Sequence, residues 1–257
     1  MDDKLTAIVL TRFPLDAGEG FDEHVHDHHQ LAWVRDGVLT VTVGDRNWVL
    51  PPSLALWIPA GVPHTSTAGR TAATMQGIYL PSEMRAEWTA PTVVGVTPLL
   101  RELIDFLGDA EAPGPARTKA EALIPDLLAP AQTFTVSVPM PHDARAVRIA
   151  RELLLDPGDA RDLGEWGRHV GASTRTLSRI FAAETGLGFT QWRSRLRLRA
   201  SLAYLADGES VGTTAMLVGF GSTSAFIAAF SELVGVTPGA YFARVAQLAD
   251  QRHELAD

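Results

Sequence analysis

Residues 173–187 read STRTLSRIFAAETGL, and residues 222–236 read STSAFIAAFSELVGV. The two segments align at an offset of 49 residues, with Ser-Thr at the start, phenylalanine at the same inner position and glycine near the end. Serine is favoured at helix N-caps and glycine at helix C-caps, so each segment is predicted to be one helix that begins after the serine and ends at the glycine. An internal repeat of this kind indicates that one supersecondary unit occurs twice.

A shorter helical pattern and a turn precede the first segment, and together they predict a helix-turn-helix unit. Asp162 can cap the short helix, Gly171 can form the turn and Ser173 can cap the second helix. On that second helix, Leu177 and Phe181 lie opposite a face with two arginines one turn apart. The residues predicted to contact DNA from this face are Thr174, Arg175, Ser178 and Arg179. Arginine in a major groove can donate two hydrogen bonds to guanine or hold phosphate, whereas the alternative interpretation is a solvated charged face.

Residues 190–206 are predicted to form one helix between the two units. Its predicted packing side consists of Trp192, Leu196, Ala200 and Ala203, and its early part carries Arg193, Arg195, Arg197 and Arg199. Such a helix can set the two units about 34 Å apart, which is one turn of the duplex. Arg193 and Arg195 are expected to contact phosphates.

Residues 143–244 resemble the DNA-binding domain of the AraC family. The similarity lies in the pattern Ser-x-Arg-x-Leu-x-Arg-x-Phe that ends at Phe181, in Glu184-Thr185-Gly186, and in the run from Gly219-Phe220 to Thr237-Pro238-x-x-Tyr241. The resemblance implies an all-helical domain that binds double-stranded promoter DNA through two helix-turn-helix units. It also implies that residues 174–185 and 223–234 are the recognition helices.

The second recognition helix departs from the family pattern. Where family members commonly carry basic residues, this chain has Ala228 and Ser231, and Glu232 lies beside them. The outward contacts expected on this helix are Thr223, Ser224 and Ile227. We therefore expect most of the sequence specificity to come from the first unit.

Short apolar runs broken by Gly, Pro and Asp fill residues 6–80. Residues 38–43 alternate, Gly44-Asp45 follows, and the pattern resumes at residues 48–50, which predicts a hairpin. Several such strands at close spacing predict a small barrel or sandwich. After Pro98 the apolar spacing becomes helical, and a second apolar helix is predicted around residues 120–128. That second helix is a candidate for a dimer seam or for packing against the barrel.

Residues 24–30 read HVHDHHQ and contain four histidines. His24, His26 and Gln30 project to one face of a strand, as ligands of one metal require, and His64 follows a tight turn at residues 59–63. Residues 18–80 resemble the cupin pattern, which implies a small antiparallel β-barrel whose mouth holds a ligand or a metal. The candidate metal ligands are His24, His26, Gln30 and His64, and the candidate ions are Zn, Ni, Fe and Mn. Gln30 stands where cupins usually have glutamate, and it is a neutral, weaker donor.

Other interpretations of this half stay open. An organic effector can bind the polar mouth without metal, with Trp33, Trp48 and Trp57 as candidate lining residues, although such side chains are more often core. The remaining interpretation is a set of solvated surface histidines with no role, which fits His28 and His29 best. A metal-dependent cupin enzyme that acts on a small molecule is the alternative class, and a barrel that serves only dimerisation is a third. The fused DNA-reading units favour a sensor, so we expect no enzymatic activity.

The composition indicates a folded protein with room for two cores. The chain has 257 residues, of which 46% are hydrophobic and 20% charged. It contains no cysteine, so a metal would be held by histidine, carboxylate, amide or water. The net charge is −8, but arginines cluster between Arg161 and Arg199. Neither a signal-like start nor a long apolar run is present, and a cytoplasmic protein is expected.

These patterns together predict a two-domain α+β protein, in which an antiparallel β-barrel of the cupin or jelly-roll type precedes an all-α domain. Pro139 and Pro141 mark a linker. We place a sensor barrel at residues 1–95, a helical connector and candidate dimerisation region at residues 96–138, and the DNA-binding domain at residues 139–257. The predicted function is a transcription regulator controlled by a small effector or a metal. The expected partners are promoter DNA, the effector, a second copy of the chain and RNA polymerase, with no membrane association.

Overall fold

The computed structural model describes residues 7–83, 88–109, 114–131 and 136–243. The chain divides into two compact units, with residues 1–44, 48–134 and 241–257 in the first and residues 45–47 and 135–240 in the second. Parts of all three predicted domains lie outside the described residues. They are residues 1–6 and 84–87 of the predicted barrel, residues 110–113 and 132–135 of the predicted connector, and residues 244–257 of the predicted DNA-binding domain.

The described residues of the first unit form nine strands in two sheets. They are β1 (Val9–Leu15), β2 (Gly20–His24), β3 (His29–Val34), β4 (Leu39–Val43), β5 (Arg46–Leu50), β6 (Leu54–Ile58), β7 (His64–Ala68), β8 (Ala73–Leu80) and β9 (Thr92–Gly95). One sheet has the order β1-β8-β3-β6-β9, the other β2-β7-β4-β5, and the strand pairs are antiparallel. The predicted hairpin is β4 and β5, which turn at Gly44 with φ 56°. The predicted antiparallel β domain is confirmed.

Two helices cover one face of the five-stranded sheet. They are α1 (Pro98–Leu107) and α2 (Gly114–Leu127). Thr97 caps α1 by accepting a hydrogen bond from the backbone nitrogen of Leu100. Leu100 and Ile104 of α1 and Ile124 of α2 are fully buried in one cluster with residues of the sheet. The change from strand to helical spacing after Pro98 therefore marks a layer that packs on the sheet.

Trp33 and Trp57 belong to this helix-covered cluster, where both side chains are buried. The indole nitrogen of Trp33 donates a hydrogen bond to the carbonyl of Pro52 over 2.9 Å. Because side chains alternate along a strand, Gln30 projects to the opposite face of the sheet from Trp33. The expectation that these two tryptophans line an effector site is thus corrected: they are core residues beneath α1 and α2. Trp48 is buried on β5 of the other sheet.

The described second unit is helical, as predicted. Its helices are α3 (Ala144–Leu155), α4 (Leu163–Val170), α5 (Thr174–Thr185), α6 (Phe189–Ala206), α7 (Val211–Leu217) and α8 (Thr223–Val234). No helix in the described ranges has the length and apolar character needed to cross a bilayer.

The repeat seen in the sequence has a matching structure. Helices α5 and α8 are each 12 residues long. Ser173 and Ser222 cap them, and each serine side chain accepts a hydrogen bond from a backbone nitrogen three residues later. Gly186 and Gly235 end them in the left-handed conformation, with φ 70° and 83°. The two predicted recognition helices therefore begin and end where the sequence placed them.

Helix α6 is buried on more than the one side that the sequence predicted. Trp192 and Leu196 are buried as expected, but Ala200 and Ala203 are only half-buried. The helix also buries Leu198, Ser201, Leu202 and Leu205. The physical reason is that α6 packs against α3 and α5 and also against α7 and α8. A single packing stripe was therefore the wrong description of this helix.

We expect Gly167→Ala to destabilise the second unit. Gly167 is buried in α4, and a Cβ atom there would lie 2.4 Å from the carbonyl oxygen of Ala172. The turn after α4 would have to move, and overpacking of this kind costs about 1–3 kcal/mol. Denaturant unfolding followed by circular dichroism measures the change in midpoint.

Gly212→Ala is the matched control, because Gly212 also lies in a short helix of this unit. A Cβ atom there would first meet the hydroxyl oxygen of Thr223 at 3.6 Å, an ordinary contact. Alanine is favoured over glycine in a helix by about 0.5–1 kcal/mol, so this variant should be at least as stable as the parent. Equal destabilisation of both variants would contradict the close approach at Gly167.

Candidate functional sites

The first helix-turn-helix unit consists of α4 and α5, and local hydrogen bonds fix both helix starts. Asp162 accepts a hydrogen bond from the backbone nitrogen of Glu165, and Glu165 accepts one from that of Asp162. This pair is a capping box. Gly171 turns the chain with φ 69°, and Ser173 then caps α5. Because its start is fixed, the first turns of α5 present a defined face to solvent.

That face carries the residues predicted to contact DNA. Thr174, Arg175, Ser178 and Arg179 are all exposed. On the opposite side, Leu177 and Phe181 are fully buried. Within the described ranges, neither Arg175 nor Arg179 has a hydrogen bond or an ion pair. Both guanidinium groups are therefore free to bind phosphate or a base edge, and their contact with DNA stays a prediction.

Helix α8 presents a weaker surface of the same kind. Thr223 and Ser224 are exposed, whereas Ile227 is half-buried and so only partly available. The helix carries no cationic residue, and Glu232 lines a cleft between α6 and α8 together with Arg195. The contrast in charge between α5 and α8 seen in the sequence is thus kept on the exposed surface.

The arginines of α6 differ from the sequence expectation. Arg193 donates a hydrogen bond to the carbonyl of Arg161 over 2.8 Å, and Arg197 binds three backbone carbonyls. Burial lowers the pKa of Arg199 to about 10. Arg193 is therefore engaged inside the unit, although we expected it at the phosphates. Arg195 is left as the candidate phosphate contact of this helix.

The segment before α3 is attached to both α5 and α6. One carboxylate oxygen of Glu184 accepts hydrogen bonds from the backbone nitrogens of His142 at 2.6 Å and Asp143 at 3.0 Å. These bonds hold the pKa of Glu184 below its usual value. The indole nitrogen of Trp192 donates to the carbonyl of Pro139 over 2.7 Å. The sequence marked a linker here but missed this attachment, because contacts between distant residues leave no periodic pattern.

Three histidines of the first unit converge at one end of the four-stranded sheet. His24 ends β2, His64 begins β7, and the two are paired across the strands. His26 lies two residues beyond the end of β2. One ring nitrogen from each histidine lies within 4.8 Å of the others. The fold thus brings together three of the four predicted metal ligands.

Hydrogen bonds and burial prepare these rings to act as ligands. The Nδ1 atoms of His24 and His64 lie 2.6 and 2.9 Å from the carbonyls of Asp22 and Val62. Because a carbonyl only accepts, Nδ1 carries a proton in each ring, which leaves Nε2 as the ring nitrogen that could bind a metal. The Nε2 atoms of His26 and His64 are buried without a partner in the described structure. Burial and then His24 lower the pKa of His26 to about 4, and burial lowers the pKa of His64.

Gln30 faces the same interior from the other sheet. It is buried, and its Oε1 atom has no hydrogen-bond partner among the described residues. Gln30 is paired with Tyr79 across β3 and β8, and directly opposite residues share a face. The Tyr79 ring lies 5.3 Å from the ring of His26 and 5.0 Å from that of His28. Tyr79 was missed because a single tyrosine in a strand carries no functional signal in the sequence.

His28 and His29 are not the solvated surface residues of the remaining interpretation. His28 stacks on His26, with ring centroids 4.9 Å apart, and its Nδ1 lies 2.8 Å from a carboxylate oxygen of Asp27. The Nδ1 of His29 accepts a hydrogen bond from the backbone nitrogen of Ala60. Both rings are half-buried, because they pack against other aromatic rings at this end of the sheets.

Comparison with known proteins gives the class of this protein. The family model for the AraC-like ligand binding domain matches residues 15–128, and that for a helix-turn-helix domain matches residues 166–244. The chain is thus a helix-turn-helix transcription regulator with a ligand-binding domain. The HTH-type transcriptional regulator NimR of Escherichia coli (strain K12) is 32% identical over 231 residues, which are 89% of this chain and 84% of that protein. The chain belongs to the AraC family.

Other known proteins match one part of the chain or match it at low sequence identity. The HTH-type transcriptional regulator RipA of Corynebacterium glutamicum is 36% identical over 124 residues, which are 47% of this chain and 37% of that protein. A crystal structure of ToxT from Vibrio cholerae with bound unsaturated fatty acid covers 97% of this chain and 99% of that chain, with a TM-score of 0.37 and 10% identity. The DNA-binding domain of AdpA in complex with a target DNA covers 43% and 99%, with a TM-score of 0.40 and 26% identity.

We expect Glu184→Ala to loosen the attachment of residues 142–143. The substitution leaves two backbone N–H groups without their acceptor, so their amide hydrogens should exchange roughly tenfold faster. Glu184→Gln keeps an amide oxygen and should retain part of the protection. Hydrogen exchange followed by mass spectrometry or NMR measures the effect.

Glu165→Ala serves as the control, since Glu165 caps a different backbone group, the N–H of Asp162. It should leave the exchange of His142 and Asp143 unchanged. Native protection of those two amides in Glu184→Ala would show that the carboxylate does not hold the segment.

Proposed function

We propose that the protein reads promoter DNA chiefly through α5. Arg175 and Arg179 bind guanine edges or phosphates, and Thr174 and Ser178 add hydrogen bonds from the same face. The observation that carries this proposal is the pair of exposed guanidinium groups, free of partners within the described residues, on a helix whose start Ser173 fixes. An arginine side chain that is not already paired loses no internal contact when it meets DNA.

Helix α8 and α6 supply secondary contacts in this proposal. Thr223 and Ser224 are exposed and small enough to approach base edges, and Ile227 adds apolar contact where it is accessible. Arg195 of α6 holds a phosphate, because its guanidinium makes no hydrogen bond within the described part of the chain. The second helix-turn-helix unit thus binds DNA less strongly than the first helix-turn-helix unit.

We further propose that the histidine centre binds a divalent ion, Zn, Ni, Fe or Mn. His24, His26 and His64 hold the metal, and Gln30 is a candidate oxygen donor. The donor set fits such an ion because burial disfavours the charged forms of His26 and His64, two Nε2 atoms are buried without partners in the described structure, and the carbonyl oxygen of Gln30 is likewise unpaired. A bound ion would supply open positions for an oxygen- or nitrogen-bearing effector.

An organic effector that binds without metal is the second candidate. The same unpaired atoms of Gln30, His26 and His64 can bond a polar small molecule, and the match to the AraC-like ligand binding domain favours a ligand in this unit. Trp48 remains the one aromatic lining candidate of the three expected from the sequence, since Trp33 and Trp57 lie under the helices.

Effector binding controls DNA binding by linkage in this proposal. When the effector and DNA bind the two conformations of the protein with different affinities, each changes the affinity of the protein for the other. The coupling free energy is the same in both directions. We propose a homodimer formed through α1 and α2, where Leu99 and Leu123 are 56% and 46% exposed. A regulator bound at a promoter is also placed next to RNA polymerase.

The proposed role is regulatory and not catalytic. A centre of three histidines also occurs in metal-dependent enzymes, so turnover is the outcome that separates the two classes. Purified protein with added iron or manganese should convert no small acid or sugar. Product formation that depends on His64 would support the alternative, a metal-dependent cupin enzyme.

Arg175→Ala and Arg179→Ala should each weaken operator binding by about 1–3 kcal/mol, because each removes a base or phosphate contact. The operator is first selected from a random DNA pool with the purified protein. Fluorescence anisotropy at several salt concentrations then measures affinity. Loss of a base contact relaxes the base preference at one position of the operator. Loss of a phosphate contact instead lowers the slope of affinity against salt concentration by about one.

Arg151→Ala is the matched control for these two variants. Arg151 is an exposed arginine on α3 of the same unit, so the change in charge is identical. It should leave operator affinity close to that of the parent. Parental affinity in both α5 variants would refute the assignment of α5 as the reading helix.

His24→Ala combined with His64→Ala should abolish metal binding and leave operator binding intact. Metal content of protein purified without a tag, and thermal shift with Zn, Ni, Fe and Mn salts, measure binding, since a ligand of the folded state raises the melting temperature. The double variant should show no metal-dependent shift. If the parent shifts with organic compounds and with no metal, the organic effector is the correct alternative.

Gln30→Leu tests the fourth donor. Removal of an unpaired buried amide should stabilise the metal-free protein and weaken metal binding. Gln76→Leu is its control, because Gln76 also has an unpaired buried amide nitrogen in the described structure but is paired with Trp33 on the helix-covered face. Equal metal affinity in Gln30→Leu and Gln76→Leu would remove Gln30 from the centre.

A further inference from the structure

Arg197, in the middle of α6, directs its guanidinium group at backbone carbonyl oxygens. Its Nε donates to Pro157 over 2.9 Å, one terminal nitrogen donates to Gly219 over 2.7 Å, and the other donates to Asp159 over 2.9 Å. All three nitrogens are therefore used inside the unit. The group is half-buried, and this burial lowers the pKa of Arg197. Burial of the guanidinium cation costs desolvation free energy, and the three hydrogen bonds to carbonyl oxygens offset that cost.

The three carbonyls come from the surroundings of both helix-turn-helix units. Pro157 and Asp159 lie in the loop between α3 and α4, which leads into the first unit. Gly219 lies in the turn between α7 and α8, which is the turn of the second unit. One planar, rigid side chain thus joins the entrance of one unit to the turn of the other.

The two backbones also touch at this point. A Cβ atom on Gly219 would lie 3.0 Å from the Cα of Gly158 and 2.7 Å from a guanidinium nitrogen of Arg197. A Cβ atom on Gly158 would lie 2.9 Å from the carbonyl oxygen of Leu217. A side chain at either glycine would therefore push the loop and the turn apart.

We propose that Arg197 is the positioning residue that fixes the spacing and orientation of the two helix-turn-helix units, and thereby the separation of the two DNA sub-sites that one chain reads. This inference rests on the proposed DNA contacts of α5 and α8 and states how they are combined. Two linked contacts gain affinity from one another only when the geometry lets both engage at once. Loss of the three carbonyl contacts releases that geometry and leaves the reading surfaces themselves intact.

A phosphate contact is the competing role for Arg197, since it is an arginine of the helix that joins the two units. A positioning residue affects the affinity only for DNA that engages both helix-turn-helix units. A phosphate contact contributes to the affinity for every DNA on which it is made. The two roles therefore predict different results on DNA with one and with two sub-sites.

The test uses the full-length protein with Arg197→Met or Arg197→Lys. The DNA is selected from a random pool with the parent protein, and hydroxyl-radical footprinting locates the two sub-sites. Affinity is measured on this DNA, on DNA with the α8 sub-site scrambled, and on DNA with the spacing changed by one or two base pairs. Lysine keeps the charge but cannot reproduce the planar fork, so both variants should behave alike.

We expect both variants to lose about tenfold or more on DNA with two sub-sites and to bind single-site DNA as the parent does. They should also lose the parental preference for one spacing. The proposal would be overturned if the variants kept both the parental ratio of affinities for two-site and single-site DNA and the parental spacing preference.

Arg195→Met supplies the signature of a phosphate contact on the same helix. It should weaken binding to both DNAs and lower the salt slope by about one. The same pattern in Arg197→Met would assign Arg197 to the phosphates and overturn its positioning role. Failure of the proposed reading helix is separate from this outcome, because Arg175→Ala would then leave binding to both DNAs unchanged.

If the Arg197 variants do not fold, Gly219→Ala tests whether the contact at Arg197 sets the spacing of the two sub-sites. It keeps the arginine but inserts a methyl group into the contact, at a residue with φ 84°. Gly171→Ala is the control, because Gly171 has φ 69° in the turn of the first unit and a Cβ atom there meets nothing within 4 Å. Gly219→Ala should lose the spacing preference and Gly171→Ala should keep it. The same spacing preference in both would overturn the proposal.

Discussion

The burial of α6 on two sides is the constraint on which the DNA-binding unit depends. The helix packs against α3 and α5 and also against α7 and α8, so both helix-turn-helix units pack against the same helix. Its single fully buried hydroxyl, that of Ser201, donates to the carbonyl of Leu198 over 2.7 Å and so does not remain unpaired. Polar side chains on such a helix must either bond within the unit or reach solvent, and its arginines divide in this way.

Elements with local signals were predictable from the sequence. Helices α5 and α8 begin at a capping serine and end at a left-handed glycine, and both signals lie in the helix itself. The packing of α6 was not predictable to the same degree, because a helix with two buried sides has no single apolar stripe. The internal contact of Arg193 was missed for a related reason: charge suggests solvent or phosphate, and the sequence does not show which carbonyl lies nearby.

The histidine centre was predictable in part for a different reason. The even spacing of His24, His26 and Gln30 predicted one face of one strand, but His24 ends β2 and Gln30 lies on β3 of the other sheet, so the two face the same interior from different sheets. The turn before His64 correctly suggested a return to the same sheet end. The mistaken placement of Trp33 and Trp57 follows from the same alternation, since the period of two does not say which face meets the other sheet and which meets helices. Tyr79 reaches the histidines only because the two sheets come together, which no local pattern encodes.

The difference between the two recognition helices gives the DNA-binding unit a direction. Helix α5 exposes two unpaired guanidinium groups in the described structure, whereas α8 has no cation in its sequence. A domain with two equal heads could sit on a symmetric stretch of duplex in either sense. With the contacts proposed for α5 and α8, unequal heads would lower the energy of one sense only, so a single chain would distinguish upstream from downstream without a palindrome, as a regulator beside an asymmetric promoter requires.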